Sequence, residues 1–85
     1  MSTLEESIAG LLLAVAELPE PELAPDTWYS KYSTLALALT SLQVVQLVDL
    51  IEASQDLILT SADVTRAHFA TPAALVARLR ARSAA

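Results

Sequence analysis

The sequence contains no cysteine, a single glycine and only four aromatic residues, namely one Trp, two Tyr and one Phe. Without cysteine there is no disulfide framework and no zinc site built on thiolates. A single glycine excludes a glycine-rich loop that would cradle a phosphate. Hydrophobic residues nevertheless make up 54% of the chain. Leu, Val, Ile and Ala must therefore fill the core, and this mixture favours helices over strands.

Long apolar runs and early basic residues are also missing. The longest apolar stretch, around Leu11, is far shorter than the roughly 18 residues that a membrane-spanning helix needs. The first residues carry Glu5 and Glu6 but no Lys or Arg, which is not the pattern of a secretory signal. With 85 residues, the chain is expected to form one domain, residues 1–85, that is cytoplasmic and does not enter a membrane.

Acidic residues outnumber basic ones, and the two kinds are separated along the chain. Ten acids and five Lys or Arg give a formal net charge of −5. All acids lie between Glu5 and Asp63, whereas residues 64–85 carry only positive charges. An acidic body repels phosphates, which argues against nucleic-acid binding. The arginines near the carboxyl end are expected to complement a helix dipole.

Apolar residues recur with helical spacing at both ends of the chain. The spacing predicts a first helix from about Leu4 to Leu18, which Pro19 and Pro21 then end. A last helix is predicted to begin with Thr71 as its N-cap and Pro72 at the first helical position. Its inward-facing residues are expected to be Leu75, Val76 and Leu79.

Two further segments connect these helices to the middle of the chain. Residues 19 to 39 are predicted to be a long loop, because three prolines exclude a regular helix through its first part. Trp28, Tyr29 and Tyr32 are expected to pin this loop by packing rather than to form a ligand cage. A short helix is predicted after Thr60 or Ser61, with Val64, Ala67 and Phe69 facing inward. The predicted fold is thus all-α, a small four-helix bundle with a long loop between the first and second helices.

The segment from Thr40 to about Ala53 has the most informative helical pattern. Thr40 with Gln43 fits an N-cap and a capping box. Leu42 and Val45 fall on the polar side of this helix, where burial in the domain's own core does not explain them. Such residues indicate either a partner contact or scattered surface hydrophobics. The apolar side of the helix consists of Val44, Leu47, Val48 and Ile51.

Ser41 stands directly after the predicted cap, at the mouth of the long loop. A helix N-terminus favours an attached phosphate through its free N–H groups and its dipole. Serine is also simply common at helix starts, so its position alone does not distinguish the two interpretations.

The stretch Leu-Ala-Leu-Thr-Ser-Leu, residues 37–42, resembles the Leu-Gly-x-Asp-Ser-Leu motif of acyl and peptidyl carrier proteins. The resemblance continues through the following helix to Leu75 and covers roughly residues 35 to 80. It implies a bundle of the acyl-carrier-protein type and a phosphopantetheine arm on Ser41, attached from coenzyme A by a phosphopantetheinyl transferase. The thiol of that arm would hold an acyl or aminoacyl group as a thioester.

The resemblance also implies a set of partners for a free-standing, monomeric carrier. Leu42 and Val45 match the exposed apolar positions by which carrier helices dock on enzymes. Asp49 and Glu52 would form an acidic rim that aids encounter with basic partner surfaces. The partners would be the transferase and the loading and transferring enzymes of polyketide, nonribosomal peptide or related biosynthesis. The chain itself is then expected to be no enzyme.

Two departures from the motif leave alternatives open. Ala38 replaces the motif glycine, and Thr40 replaces the motif aspartate, which keeps the cap but removes a negative charge beside Ser41. One alternative is therefore a degenerate carrier fold without the arm, acting as a docking subunit. Another is a small hydrolase that would pair Ser41 with His68, although no orienting acid stands at a recognisable spacing.

Overall fold

The structure, a computed structural model, describes residues 3–84, and four α-helices form its framework. Helix α1 spans Thr3–Val15, α2 Pro25–Tyr32, α3 Ser41–Gln55 and α4 Pro72–Ala84. No strand occurs in residues 3–84, which confirms the all-α class. Helix α1 contacts each of the other three helices. None of the described helices combines the length and hydropathy needed to cross a bilayer.

The core lies between α1 and the helices around it. As the periodicity predicts, Leu47 and Ile51 of α3 are buried, and so are the three inward residues expected on α4. Trp28 of α2 and Phe69 complete the core from the connecting segments. The remaining buried apolar residues are Ile8, Ala9 and Leu12 of α1 and Leu75, Val76 and Leu79 of α4.

Helix α1 ends at Val15 rather than at Leu18. Pro19 has no N–H to donate to the carbonyl of Val15, and it disfavours helical angles at Leu18. The side chain of Gln43 supplies the missing donor, with its Nε2 3.3 Å from the Val15 carbonyl oxygen. The end of α1 is thereby bonded to the first turn of α3.

The prediction that residues 19–39 form one long loop is wrong for α2, which lies inside that segment. Pro25 occupies the start of the helix, where its fixed φ angle suits the first turn and its missing N–H costs nothing. Asp26 in the first turn and Lys31 in the last turn complement the helix dipole. Pro25 therefore begins a helix rather than excluding one.

The aromatic residues pin this segment, as the sequence predicts. Trp28 is fully buried, and its indole Nε1 donates a hydrogen bond to the Pro19 carbonyl at 2.8 Å. The centroid of its ring lies 5.3 Å from the centroid of the Tyr32 ring. Tyr32 and Lys31 both donate to the carboxylate of Glu20. These contacts hold the stretch after α1 against α2.

The short helix predicted after Thr60 is not formed, and residues 61–70 are a series of turns. Helical backbone bonds here close only single turns, from the Val64 N–H to the Thr60 carbonyl and from the Phe69 N–H to the Thr65 carbonyl, both at 3.1 Å. Asp63 accepts from the N–H of Thr60 at 2.8 Å, and Thr65 Oγ1 accepts from the N–H of His68 at 3.2 Å. Of the three residues expected to face inward, Phe69 is buried and Val64 half-buried, whereas Ala67 is exposed.

Asp63 connects this turn segment to α4. Its side chain is 1% exposed and accepts from Arg78 Nε at 2.7 Å. Arg82 also donates to it, and the same guanidinium donates to the Ile58 carbonyl at 2.9 Å. Two of the arginines near the carboxyl end thus bind a buried carboxylate, and Arg82 also lies in the last turn of α4, where it complements the helix dipole as predicted. Removing that carboxylate would leave both guanidinium groups without their partner.

Acid is expected to weaken this connection in a defined pH range. Hydrogen bonding from the Thr60 N–H, aided by Arg78 and Arg82, lowers the pKa of Asp63 from 3.8 to about 2. Because the folded-state pKa is lowered, its stabilisation is complete above pH 3.8 and is lost as the pH falls toward about 2. We expect Asp63→Asn to be less stable than wild type at neutral pH.

The measurement is the urea midpoint of both proteins from neutral pH to about pH 2. The gap between them should narrow on acidification, because wild type loses what the variant already lacks. An equal gap at every pH would show that the Asp63 charge contributes nothing. Glu5→Gln, which removes the partner of the exposed Arg80, is the control and should change the midpoint far less.

Candidate functional site

Helix α3 begins at the candidate serine, and its cap has the predicted form. Thr40 is extended, with φ −75° and ψ 164°, and its Oγ1 accepts from the Gln43 N–H at 3.1 Å. The Gln43 side chain in turn accepts from the Thr40 N–H at 2.8 Å. This confirms the capping box. Threonine therefore supplies the cap without the negative charge of an aspartate.

Ser41 occupies the first position of α3 and is exposed. Its hydroxyl forms no hydrogen bond with another described residue. The N–H groups of Ser41 and Leu42 lie in the first turn, where no helical acceptor exists for them. A free hydroxyl thus stands beside free backbone donors, at the positive end of a helix dipole. This arrangement suits an attached phosphate.

Hydrogen bonds join the segments before and after Ser41 to the rest of the fold. Leu37 donates its N–H to the Ala70 carbonyl at 2.8 Å, which joins the preceding loop to the turn segment. Ala73 in the first turn of α4 donates to the Ser33 carbonyl at 2.8 Å. Gln43 is bonded to the end of α1, as described above. The serine therefore projects from a fixed point rather than from a free loop.

An apolar groove of about 400 Å³ lies next to the start of α3. One wall is the loop before Ser41, and another is the turn segment after Thr60. Leu39 and Val44, which flank the serine in the sequence, both contribute to it. The groove was not predicted, because it depends on how distant segments pack. We call it the α3 groove, and it is lined by Ala36, Leu37, Leu39, Val44, Val64, Thr65, Arg66, Phe69 and Ala70.

The exposed face of α3 carries the residues predicted to contact partners. Leu42 is 66% exposed and Val45 57% exposed, so both side chains lie in solvent as the helical wheel indicates. Asp49 is exposed on the same helix. Glu52 differs, because it is half-buried and its carboxylate accepts from the Leu59 N–H at 2.8 Å. Leu50, 39% exposed, adds an apolar position that the sequence pattern did not single out.

The other candidate residues do not assemble into a site. No hydrogen bond joins Ser41 to His68 within residues 3–84, and the His68 backbone is bonded to Thr65. Among those residues, no group of three His, Asp or Glu side chains is placed to hold a metal ion. The geometry near Ser41 thus offers a hydroxyl, helix N–H groups and an apolar groove.

Comparisons of the chain with protein-family models, with curated proteins and with solved structures give no significant match.

Proposed function

We propose that this protein is an acyl or aminoacyl carrier that bears a phosphopantetheine arm on Ser41. The observation that supports it most directly is the unbonded Ser41 hydroxyl in the first turn of a capped helix whose first residues include a groove-lining valine and an exposed apolar pair. The motif resemblance of residues 37–42 supports the same residue. No other described serine combines these features with that motif.

The chain's own part in the chemistry is to present a nucleophile and to hold its product. The Ser41 oxygen attacks the phosphorus of coenzyme A that carries the arm and forms a phosphodiester, while the pyrophosphate bond of coenzyme A breaks and adenosine 3′,5′-bisphosphate leaves. The first-turn N–H groups and the helix dipole then stabilise the new negative charge. When bound, the arm supplies a thiol that carries an acyl group as a thioester. The transferase supplies the base that accepts the serine proton.

The surroundings of Ser41 suit the two states of a carrier, one that holds its cargo away from water and one that docks on an enzyme. The α3 groove provides an apolar surface beside the arm, where a cargo chain would be withdrawn from water. Leu42 and Val45 provide a surface on which an enzyme would dock. The proposed partners are the transferase and the enzymes that load and transfer the cargo in a polyketide, nonribosomal peptide or related pathway.

The proposal is tested by incubating the purified protein with coenzyme A and a permissive phosphopantetheinyl transferase. Intact-mass analysis should show the gain of one phosphopantetheine group, and Ser41→Ala should gain none. Thr40→Asp is the informative variant, because it keeps the cap and adds the charge that the motif has beside the serine. We expect it to be loaded faster than wild type. Loading of Ser41→Ala would place the arm elsewhere and contradict the proposal.

A degenerate carrier without the arm is the second candidate, and the capping box is the observation that favours it. Thr40 and Gln43 form both hydrogen bonds of the capping box without an acid, so the fold does not need the motif aspartate. The docking residues Leu42 and Val45 would then function without a cargo. Loading of Thr40→Asp with no loading of wild type would favour this candidate.

A further inference from the structure

All but one of the Lys and Arg side chains in residues 3–84 are paired with a carboxylate. Arg66 is exposed and forms no ion pair or hydrogen bond with another described residue. An unpaired cation on an acidic protein is available to an anion from outside. The paired cations are Lys31 with Glu20, Arg80 with Glu5, and Arg78 and Arg82 with Asp63.

Arg66 is also the only charged residue among those that line the α3 groove. Seven of the lining residues are apolar, and the remaining polar one, Thr65, already accepts the His68 N–H. The groove therefore combines an apolar surface with one free positive charge. Leu39 and Val44 lie on either side of Ser41 in the sequence, whereas Arg66 belongs to the turn segment. A ligand that satisfied both features would have an apolar body and an anionic end.

We propose that the α3 groove binds a linear acyl chain whose far end is a carboxylate, which pairs with the Arg66 guanidinium. A guanidinium accommodates a carboxylate through two parallel hydrogen bonds, which a neutral chain end cannot provide. That this ligand is the cargo of the arm rests on the proposed function. The cargo class would then be half-thioesters of dicarboxylic acids. The affinity of the groove for the free ligand does not depend on the proposed carrier function.

The test uses the full chain with Ser41→Ala, so that no arm can be attached. Two probes are titrated by NMR: monomethyl suberate, which has a carboxylate at one end, and the corresponding primary amide. Methyl signals of Leu37 and Val64 report on groove occupancy. We expect the carboxylate to bind about threefold more tightly than the amide, the range of an exposed charge pair. Arg66→Gln should bring this ratio to about one.

Arg80→Gln is the matched control, because it removes the same charge from a residue that pairs with Glu5, and it should keep the preference. High salt should abolish the preference without any mutation, since exposed pairs are screened. The salt experiment remains informative even if Arg66→Gln does not fold. A preference that survives either treatment, or probes that leave the groove signals unchanged, would overturn the inference. Neither outcome depends on whether Ser41 of the native protein is loaded.

Discussion

Replacing Trp28 with alanine is expected to lower the free energy of unfolding by about 3–5 kcal/mol, the range for large aromatic truncations in cores. A domain of this size has about 4–13 kcal/mol in total, so the loss is a large part of it. Trp28 is fully buried, and it is the only residue of α2 that is buried. A helix of eight residues is marginal without such packing. Urea unfolding followed by far-ultraviolet circular dichroism measures the change.

Trp28→Phe separates the packing from the hydrogen bond. It keeps an aromatic ring against Tyr32 but removes the indole donor to the Pro19 carbonyl. Its expected cost is about 1–2 kcal/mol, near that of one hydrogen bond and some lost volume. If Trp28→Ala costs less than about 1 kcal/mol, then α2 is not packed on the core as described.

The second large effect is expected on the exposed face of α3. Truncating Leu42 and Val45 together to alanine should lower kcat/KM for loading by the transferase about 30-fold, the size of one interface hot spot. The unfolding free energy should change by less than about 0.5 kcal/mol, since both side chains are exposed and alanine favours helix. The measurement is the initial rate of loading as a function of carrier concentration.

Ile58→Ala is the matched control for this experiment. Ile58 is 72% exposed, more than either docking residue, but it lies after the end of α3. Its truncation removes exposed apolar surface beyond the end of α3 that is distant from Ser41, so the loading rate should not change. An equal loss of kcat/KM in both variants would indicate nonspecific hydrophobic association rather than a defined docking surface.

Much of this fold could be predicted because its strongest signals are local. The cap at Thr40 sets the start of α3, and Thr71 with Pro72 sets the start of α4, where Thr71 accepts from the Ala74 N–H at 3.1 Å. Burial of Leu47 and exposure of Leu42 follow from the helical spacing. These features require only neighbours in the sequence.

The predicted long loop and the predicted short helix were wrong for two reasons. A residue can have two local roles, or a partner that is distant in the sequence can determine its conformation. Pro25 can end a helix or begin one, and the buried anchor at Trp28 decides for the beginning. Asp63 can cap a helix, but Arg78 and Arg82 reach it from α4 and stabilise a turn instead. Those arginines are 15 and 19 residues away from Asp63 in the sequence, so local patterns do not reveal the contacts.

The candidate site divides in the same way. Ser41 and its cap could be predicted, because they lie within one turn of helix. The α3 groove and the free charge of Arg66 could not, since they depend on how the turn segment packs beside the start of α3. The position of Glu52 also depends on a distant neighbour, the backbone of Leu59.

Intact-mass analysis of the protein isolated from the cells that make it tests the carrier proposal most directly. The measured mass should exceed that of the sequence by one phosphopantetheine group, with or without an acyl cargo. Fragmentation should place the group on the peptide that contains Ser41. Protein that is unmodified at Ser41 in every preparation would contradict the central claim.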